Sequence, residues 1–566
     1  MTVDGGKLVR SAHVEGGSKL HAVQGVLPRP QCFAPSSGFC RILIKAKLLF
    51  DSKLSLAANS LSISEGSLMM LLQLPIGNKC LLFLIAAVLT SSLCAGQTTL
   101  TKAGAASSTS ADEPSRPNFI VILADDLGYN DLGCFGSRLI KTPNLDKIAA
   151  DGVRFTDFYC APSCTPSRAA LMTGCYPCRT GFGDILNTFN GRRSPSGVLH
   201  PDSQYGINAA ENTLPEILKS TGYSTGMVGK WHLGDAEQYN PVHNGFDDYF
   251  GVPYSNDMKP FYFLRGTERL QETPDNDLLT QRFTQEAVKF IRKQKDKPFF
   301  LYLAHCMPHV PVGASPAFKG KSARGPYGDA VEEVDWSVGE VVKAVADIGA
   351  EDNTLIVFLS DNGPWLARSE TGGSATPLRN GKGSTYEGGV RVPCVMKWPA
   401  KIPAGKVSHG IAANMDLLPT FAALAGAKVP ANRKIDGIDI SALLLKPEGK
   451  SPRQSFLYYF GNQLHGVRSG EWKLRLKNNL LNEDVYRQGD LEMLEKVEMP
   501  AALYNLTNDP GEQKSVLWDR PNQKKQTHPR VSKHLNEMIG KARNDLGDSL
   551  TGVKGPNLRP IGGVEK

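Results

Sequence analysis

Apolar positions along the chain follow two patterns. Short unbroken runs recur at 118–124 (Asn-Phe-Ile-Val-Ile-Leu-Ala), 298–304 (Pro-Phe-Phe-Leu-Tyr-Leu-Ala) and 354–359 (Thr-Leu-Ile-Val-Phe-Leu). A strand buried on both faces needs such a run, so each predicts a strand of a parallel sheet. Further strands are expected at 153–159, 223–229 and 392–397. Between them the apolar period lengthens. Phe283, Ala287, Phe290 and Ile291 mark one face of a helix over 278–293, and Val331, Val334, Val338, Val341 and Val345 one face of a helix over 327–348. Shorter helices are expected at 142–149 and 213–219, with another starting at Asp416. Buried strands alternating with amphipathic helices predict an α/β fold: a large, mostly parallel sheet flanked by helices. From about Ser455 the runs become short and alternating, at 455–460, 466–468 and 472–476, and a helix follows at 531–546. These predict a smaller C-terminal subdomain with an antiparallel sheet.

The first hundred residues read differently. Residues 70–96 carry a basic flank at Lys79, the apolar stretch Leu81-Leu82-Phe83-Leu84-Ile85-Ala86-Ala87-Val88-Leu89, and small residues after it. This is the layout of a secretory signal, and the stretch is too short for a membrane span. Cys94 follows Leu93, a poor context for a lipid-attachment cysteine. Residues 1–69 show no sustained periodicity. Met69 or Met70 is the expected start, with the upstream stretch an extension of the gene model; peptides from residues 1–60 in quantity would refute this. Residues 97–116, rich in Ala, Ser and Thr, read as a linker. The expected organisation is therefore signal (70–96), linker (97–116), catalytic domain (117–450) and C-terminal subdomain (451–566).

Composition adds limits. The 566 residues, 41% hydrophobic, are ample for one large domain and a smaller one. The net charge of +8 is mostly an N-terminal matter, because five of those charges fall in residues 1–96. The remainder has no nucleic-acid footprint. Seven of the eleven cysteines follow residue 97. Export would permit disulfides among them, and Cys175-Tyr176-Pro177-Cys178 is expected to be a local disulfide or two free thiols rather than a redox centre.

The chemistry gathers where strands end. Asp125-Asp126 follows the first buried run directly, at the edge where open α/β sheets place ligands. An aspartate-capped turn is the simpler alternative, but adjacent carboxylates repel unless a cation joins them, which favours a metal. Lys230-Trp231-His232 ends the strand at 223–229. Alternation puts Lys230 and His232 on one side if the chain stays extended. The strand at 298–304 delivers His305-Cys306-Met307-Pro308-His309, and that at 354–359 delivers Ser360-Asp361-Asn362-Gly363. Residues 164–174, Cys-Thr-Pro-Ser-Arg-Ala-Ala-Leu-Met-Thr-Gly, read as the start of a helix. Cys164 takes the N-cap position, Pro166 falls in the first turn, and Arg168 points back to the same place. A helix start is a seat for an anion, and Arg168 adds a fixed cation. Lys382 sits in the Gly-rich loop 379–389, whose glycines would let backbone approach a ligand closely.

Cys-x-Pro-Ser-Arg followed by Leu-x-Thr-Gly resembles the signature of the type I, formylglycine-dependent sulfatases, arylsulfatase A-like members of the alkaline phosphatase superfamily. Gly229-Lys230-Trp231-His232-Leu233-Gly234 with His243-Asn244-Gly245-Phe246-Asp247, the Asp-Asp and Asp-Asn pairs, the Lys382 loop and the segment 503–512 are similar to that family's pattern. The likeness covers most of residues 117–515. It implies an alkaline-phosphatase-like fold and conversion of Cys164 to formylglycine by a formylglycine-generating enzyme. The hydrated aldehyde would attack the sulfur of a sulfate ester. It further implies that Asp125, Asp126, Asp361, Asn362 and the modified Cys164 hold a divalent cation, Ca2+ with Mg2+ as the alternative. Arg168, Lys230 and Lys382 would bind the sulfate. His309 and Lys382 would protonate the leaving alcohol, Asp361 would take the nucleophile's proton, and His232 would release sulfate. The set of hard oxygen donors independently favours Ca2+ or Mg2+ over zinc.

The expected substrate is an aryl or carbohydrate sulfate, met outside the cytosol, with no stable membrane span in the mature chain. One rival is a phosphonate or phosphodiester hydrolase of the same superfamily. The other is a silent carbohydrate-binding protein whose Cys164 is never converted. Loops 179–210, 252–277 and 364–380 match nothing readable, so the individual ester is not identified.

Overall fold

The computed structural model describes residues 116–564, apart from 186, 190–191, 195–196, 295–296, 482–495 and 520–524. The expected signal and the stretch before it, with nearly all of the linker, lie outside the described residues.

The main sheet is built from β1 (Asn118–Ala124), β2 (Val153–Tyr159), β3 (Ser224–Lys230), β4 (Asp248–Val252), the short β5 (Leu264–Arg265) and β6 (Glu268–Arg269), β7 (Phe299–Ala304), β8 (Thr354–Ser360), β9 (Arg391–Lys397), β10 (Lys406–Ser408) and β11 (Ala412–Ala413). Its order is β10-β2-β9-β8-β1-β7-β3-β4-β5-β6, with β11 also on β2. β1 lies in the middle, parallel to β7 and β8, with Val121 opposite Tyr302 and Val357. β7, β3 and β4 continue the parallel series. β9 runs antiparallel to both β8 and β2, so the sheet is mixed but mostly parallel.

Because side chains alternate across a strand, β1 feeds two cores. Phe119, Val121 and Leu123 face α2 (Cys164–Thr173), α3 (Leu214–Lys219) and α6 (Leu417–Ala425). Ile120, Ile122 and Ala124 face α1 (Pro143–Asp151), α4 (Leu279–Lys293) and α5 (Pro326–Asp347). The result is a three-layer α/β/α arrangement, as the run pattern required. The caps are legible too. Thr213 and Glu216 form a capping box on α3, and Asp335 on α5 accepts from the Asn144 and Leu145 N–H groups at the start of α1.

Beyond residue 450, β12 (Ser455–Phe460), β13 (Gln463–Ser469), β14 (Trp472–Arg475) and β15 (Ala502–Asn505) make an antiparallel sheet covered by α7 (Pro529–Leu546). Its core includes Tyr159, Tyr176 and Val390 of the large domain, with Tyr159 stacked on Phe456 at 4.6 Å. β4 and β15 were not expected as strands. β4 lies in Asp-Tyr-Phe-Gly-Val, where an acid and a glycine blur the apolar run, and β15 lies in Ala-Leu-Tyr-Asn, too short a run to stand out. All seven cysteines among the described residues are free thiols, Cys175 and Cys178 included.

Candidate functional site

The parallel strands hand their polar residues to one edge. Asp125 leaves β1 with its N–H on the Met307 carbonyl at 3.1 Å. Asp126 then turns the chain with φ of 64°, a left-handed conformation uncommon outside glycine, and donates its N–H to Asp361 Oδ1 at 3.2 Å. The turns after β1 and β8 are thus tied together, and Leu127 N–H on Ser360 Oγ at 2.9 Å repeats the tie. Asp131 accepts from the Gly128 and Ser374 N–H groups and from the Tyr327 hydroxyl, bracing the same turn from below.

α2 starts one residue earlier than expected: Ser163 is the N-cap and Cys164 the first helical residue. Cys164 is buried, at 3% exposure. Arg168, one turn along, is fully buried. Its Nε and Nη2 donate to Asp361 Oδ2 at 3.2 and 2.9 Å, and Nη1 donates to the Lys230 carbonyl at 2.9 Å. Lys230 Nζ meets Asp125 Oδ2 at 2.5 Å and Ser255 Oγ at 3.2 Å. Lys382 Nζ reaches Asp126 at 2.8 Å. His309 Nε2 lies 3.6 Å from Asp126 Oδ2, while its Nδ1 faces the Val310 carbonyl at 2.5 Å and Ser255 Oγ at 3.3 Å. Asp125, Asp126, Arg168, Lys230, His309, Asp361, Asn362 and Lys382 are joined by these contacts, and Cys164 and His232 lie within the field of their charges. His305 is not among them: it is buried against Ser337 Oγ.

One local expectation needs correction. The extended chain does not continue from Lys230 to His232, because β3 ends at Lys230 and His232 adopts φ of 62°. Trp231 turns into the core instead, its Nε1 on the Tyr239 carbonyl. In the Lys382 loop, Gly381 and Gly388 let a second strand of backbone approach closely. A Cβ on Gly388 would stand 2.2 Å from the Asn380 carbonyl oxygen, and one on Gly381 2.3 Å from that of Pro364. Gly363, in the turn after β8, has the same role against the Gly388 carbonyl oxygen at 1.8 Å.

Burial and charge set the protonation states. Burial alone would raise the Asp125 carboxyl, but Lys230, His309, Arg168 and Lys382 outweigh it and hold it far below the usual range. Asp361 goes the other way. Burial and the charge of Asp125 push it up to about 7 against the pull of Arg168. Burial, reinforced by Lys230 and Arg168, drives His232 well below its ordinary value. With Nε2 donating to the Leu199 carbonyl at 3.0 Å, its Nδ1 is a lone pair without a partner. Burial and then Lys382 lower His309 too. The Cys164 thiol is raised, chiefly by burial, with Lys230 and Lys382 opposing and Asp125 and Asp361 assisting. As a plain thiol it would be a poor nucleophile.

Carboxylate oxygens of Asp125 and Asp126 and a ring nitrogen of His309 lie within 4.8 Å of one another. Asp125 Oδ1 and the neighbouring Asn362 Oδ1 are buried without a hydrogen-bond partner. Buried oxygens without a donor, in a set of hard ligands, fit a divalent cation. Asp361 Oδ2 accepts from Arg168, and Asn362 donates its amide N–H to Asp126 at 2.7 Å, which leaves Asn362 Oδ1 free as an oxygen donor beside that group. Sequence reasoning missed Ser255, which joins Lys230 to His309. Its signal was positional only: it follows β4 at the same edge of the sheet.

A family model described as "Sulfatase" matches residues 117–427, and one described as "N-sulphoglucosamine sulphohydrolase, C-terminal" matches 381–543. The chain is 40% identical to arylsulfatase A of Homo sapiens over 441 residues, 71% of this chain and 83% of that one. It is 40% identical over 435 residues to N-acetylgalactosamine-6-sulfatase of Rattus norvegicus, again 71% of this chain and 82% of the relative. Among solved structures, the PsFucS1 sulfatase from Pseudoalteromonas sp. superposes with a TM-score of 0.65 at 31% identity, covering 76% of this chain and 91% of that one.

Proposed function

The chain belongs to the sulfatase family and is a sulfuric ester hydrolase, and from this premise we propose that it acts through a formylglycine made from Cys164, on an aryl or carbohydrate sulfate, with calcium bound at Asp125, Asp126, Asp361 and Asn362. The observation that carries the reading is the placement of Cys164, at the start of α2, within the field of Lys230, Lys382, Asp125 and Asp361.

Each residue then has a task. Formylglycine would supply, as a hydrated aldehyde, the hydroxyl that attacks sulfur, and a bound cation would supply positive charge to that hydroxyl and to the sulfate. Arg168 orients Asp361 and holds Asp125 ionised. Asp361, whose carboxyl burial and Asp125 raise, takes the proton of the attacking hydroxyl; a cation nearby would oppose that rise and keep it ionised. Lys230 and Lys382 bind the sulfate oxygens. Lys382, which Asp126 keeps protonated, gives the leaving alcohol its proton. His309 spends Nδ1–H on Val310, so Nε2 accepts and orients unless the ring itself is protonated. His232 Nδ1, uncharged and unpaired, takes the proton whose loss releases sulfate and restores the aldehyde. The signal-like pattern at 70–96 supports export, and no helix among the described residues is long and apolar enough to cross a membrane.

The test is protein made with and without a formylglycine-generating enzyme. Sulfate release should track the aldehyde content of the peptide spanning residue 164. Cys164→Ala should abolish release with the thermal midpoint unchanged. Full turnover by the alanine variant would end the reading. Faster hydrolysis of phosphonate or phosphodiester than of sulfate would favour the rival chemistry.

A further inference from the structure

The polar groups of the pocket all serve the sulfate or the cation, and none offers a surface to the rest of a substrate. That surface lies at the rim. Trp365, on the loop after β8, is half-buried. Its ring centroid is 5.5 Å from that of His309, and Lys382 Nζ lies 4.8 Å from it. The indole therefore flanks the two side chains assigned to the leaving oxygen, where the ring bearing the ester must lie. Trp365 is also firmly mounted. Lys382 N–H donates to the Pro364 carbonyl at 2.9 Å, Arg324 donates to the carbonyls of Glu370 and Gly372 at 3.1 and 2.7 Å, and Asp131 accepts from Ser374 N–H.

A second observation concerns charge. Arg368 is exposed, and its guanidinium lies 4.1 Å from the Trp365 ring centroid. Among the described residues it forms no ion pair. A cation–π contact at an exposed site is weak, so an anionic ligand can draw the guanidinium off the indole and uncover it. A pyranose presents C–H groups that suit the negative face of an indole, and a planar guanidinium suits a carboxylate or sulfate.

Resting on the sulfatase reading above, we propose that Trp365 and Arg368 form a subsite for an acidic saccharide, in which the ring carrying the sulfate ester stacks on Trp365 and a carboxylate or second sulfate on the same or adjoining unit pairs with Arg368. A simple aryl sulfate would use the indole and leave the guanidinium idle.

The experiment uses the full, converted protein. Sulfated disaccharides containing a uronate, and the same disaccharides with the carboxyl reduced, compete against hydrolysis of 4-nitrophenyl sulfate. The acidic forms should bind about tenfold tighter, as a charge-assisted pair gives. Arg368→Gln should erase that ratio, and salt on the order of 0.5 M should shrink it in wild type. Trp365→Ala should weaken both forms about tenfold, with Trp365→Phe recovering most of the loss. A wild type that does not distinguish the two forms, or a ratio that survives Arg368→Gln, overturns the subsite. A folded, converted wild type inert toward every sulfate ester overturns the sulfatase reading instead, so the two failures are separable.

Discussion

Arg168 shows how little latitude single residues have in this site. Its fork grips Asp361 twice and the Lys230 carbonyl once, with no exposure to solvent. A lysine keeps the charge but cannot make three directed bonds. Arg168→Lys should lower kcat/KM by about a hundredfold and cost about 2 kcal/mol of stability as Asp361 loses a donor. Steady-state kinetics beside a urea titration would check both, and near-native kinetics would deny the residue its orienting role. At this scale the sequence is informative where chemistry forces a rare residue type into a fixed place: two adjacent acids after a buried run, or an arginine one turn into a helix. It is silent where an ordinary residue is made important by its neighbours. Ser255 is a serine in a loop until β4 sets it between Lys230 and His309. The positive φ values of Asp126 and His232 are only faintly marked in the sequence: aspartate and histidine tolerate that conformation better than most residues, but neither requires it.

At the scale of elements, the small sheet holds the Lys382 loop in place. Lys473 on β14 donates to the Thr385 carbonyl at 2.9 Å and pairs with Glu387 at 3.1 Å and Glu512 at 2.8 Å. Tyr159 and Tyr458 both donate to Glu387, and Arg475 donates to the Tyr386 hydroxyl. Lys473→Met would leave buried Glu512 without its ion pair and take one of three cations from Glu387, a loss of about 3 kcal/mol. It should also depress kcat, because the segment that carries Lys382 loses its anchor. A thermal midpoint unaltered by the substitution would show that the sheet is only attached, not clamped. Adding Glu512→Gln should restore part of the stability. Elements with an unmixed period were legible throughout: the runs of β1, β7 and β8, and the valine face of α5. β4 and β15 were not: Asp248 and Gly251 break the run of β4, and β15, at the edge of the small sheet, borrows its stability from pairing rather than from an apolar run of its own.

For the whole molecule, the same buried network predicts a response to acid. Burial would raise Glu387, but Lys473, Arg468 and Arg391 prevail and lower it to about 2. A carboxyl with a depressed folded pKa contributes stability that is complete above its unfolded value of 4.5 and is lost as pH falls toward 2. Glu512 has its pKa raised, first by burial, and acts in the opposite sense. The urea midpoint should therefore fall between pH 4.5 and 2 in wild type, and the fall should flatten in Glu387→Gln. An identical acid limb in that variant would remove Glu387 from the account.

The antiparallel β9 has a consequence in time. Every partner of β2 in the sheet, β9, β10 and β11, is C-terminal to it, and Arg391 at the start of β9 follows Thr156 in β2 by 235 residues. During synthesis at roughly 5–20 residues per second, the strand leading into Cys164 waits on the order of ten to fifty seconds for anything to zip against. Throughout that interval the thiol that ends up buried at the start of α2 stands open on a nascent chain, so the conversion proposed for it has a window that closes when the sheet does.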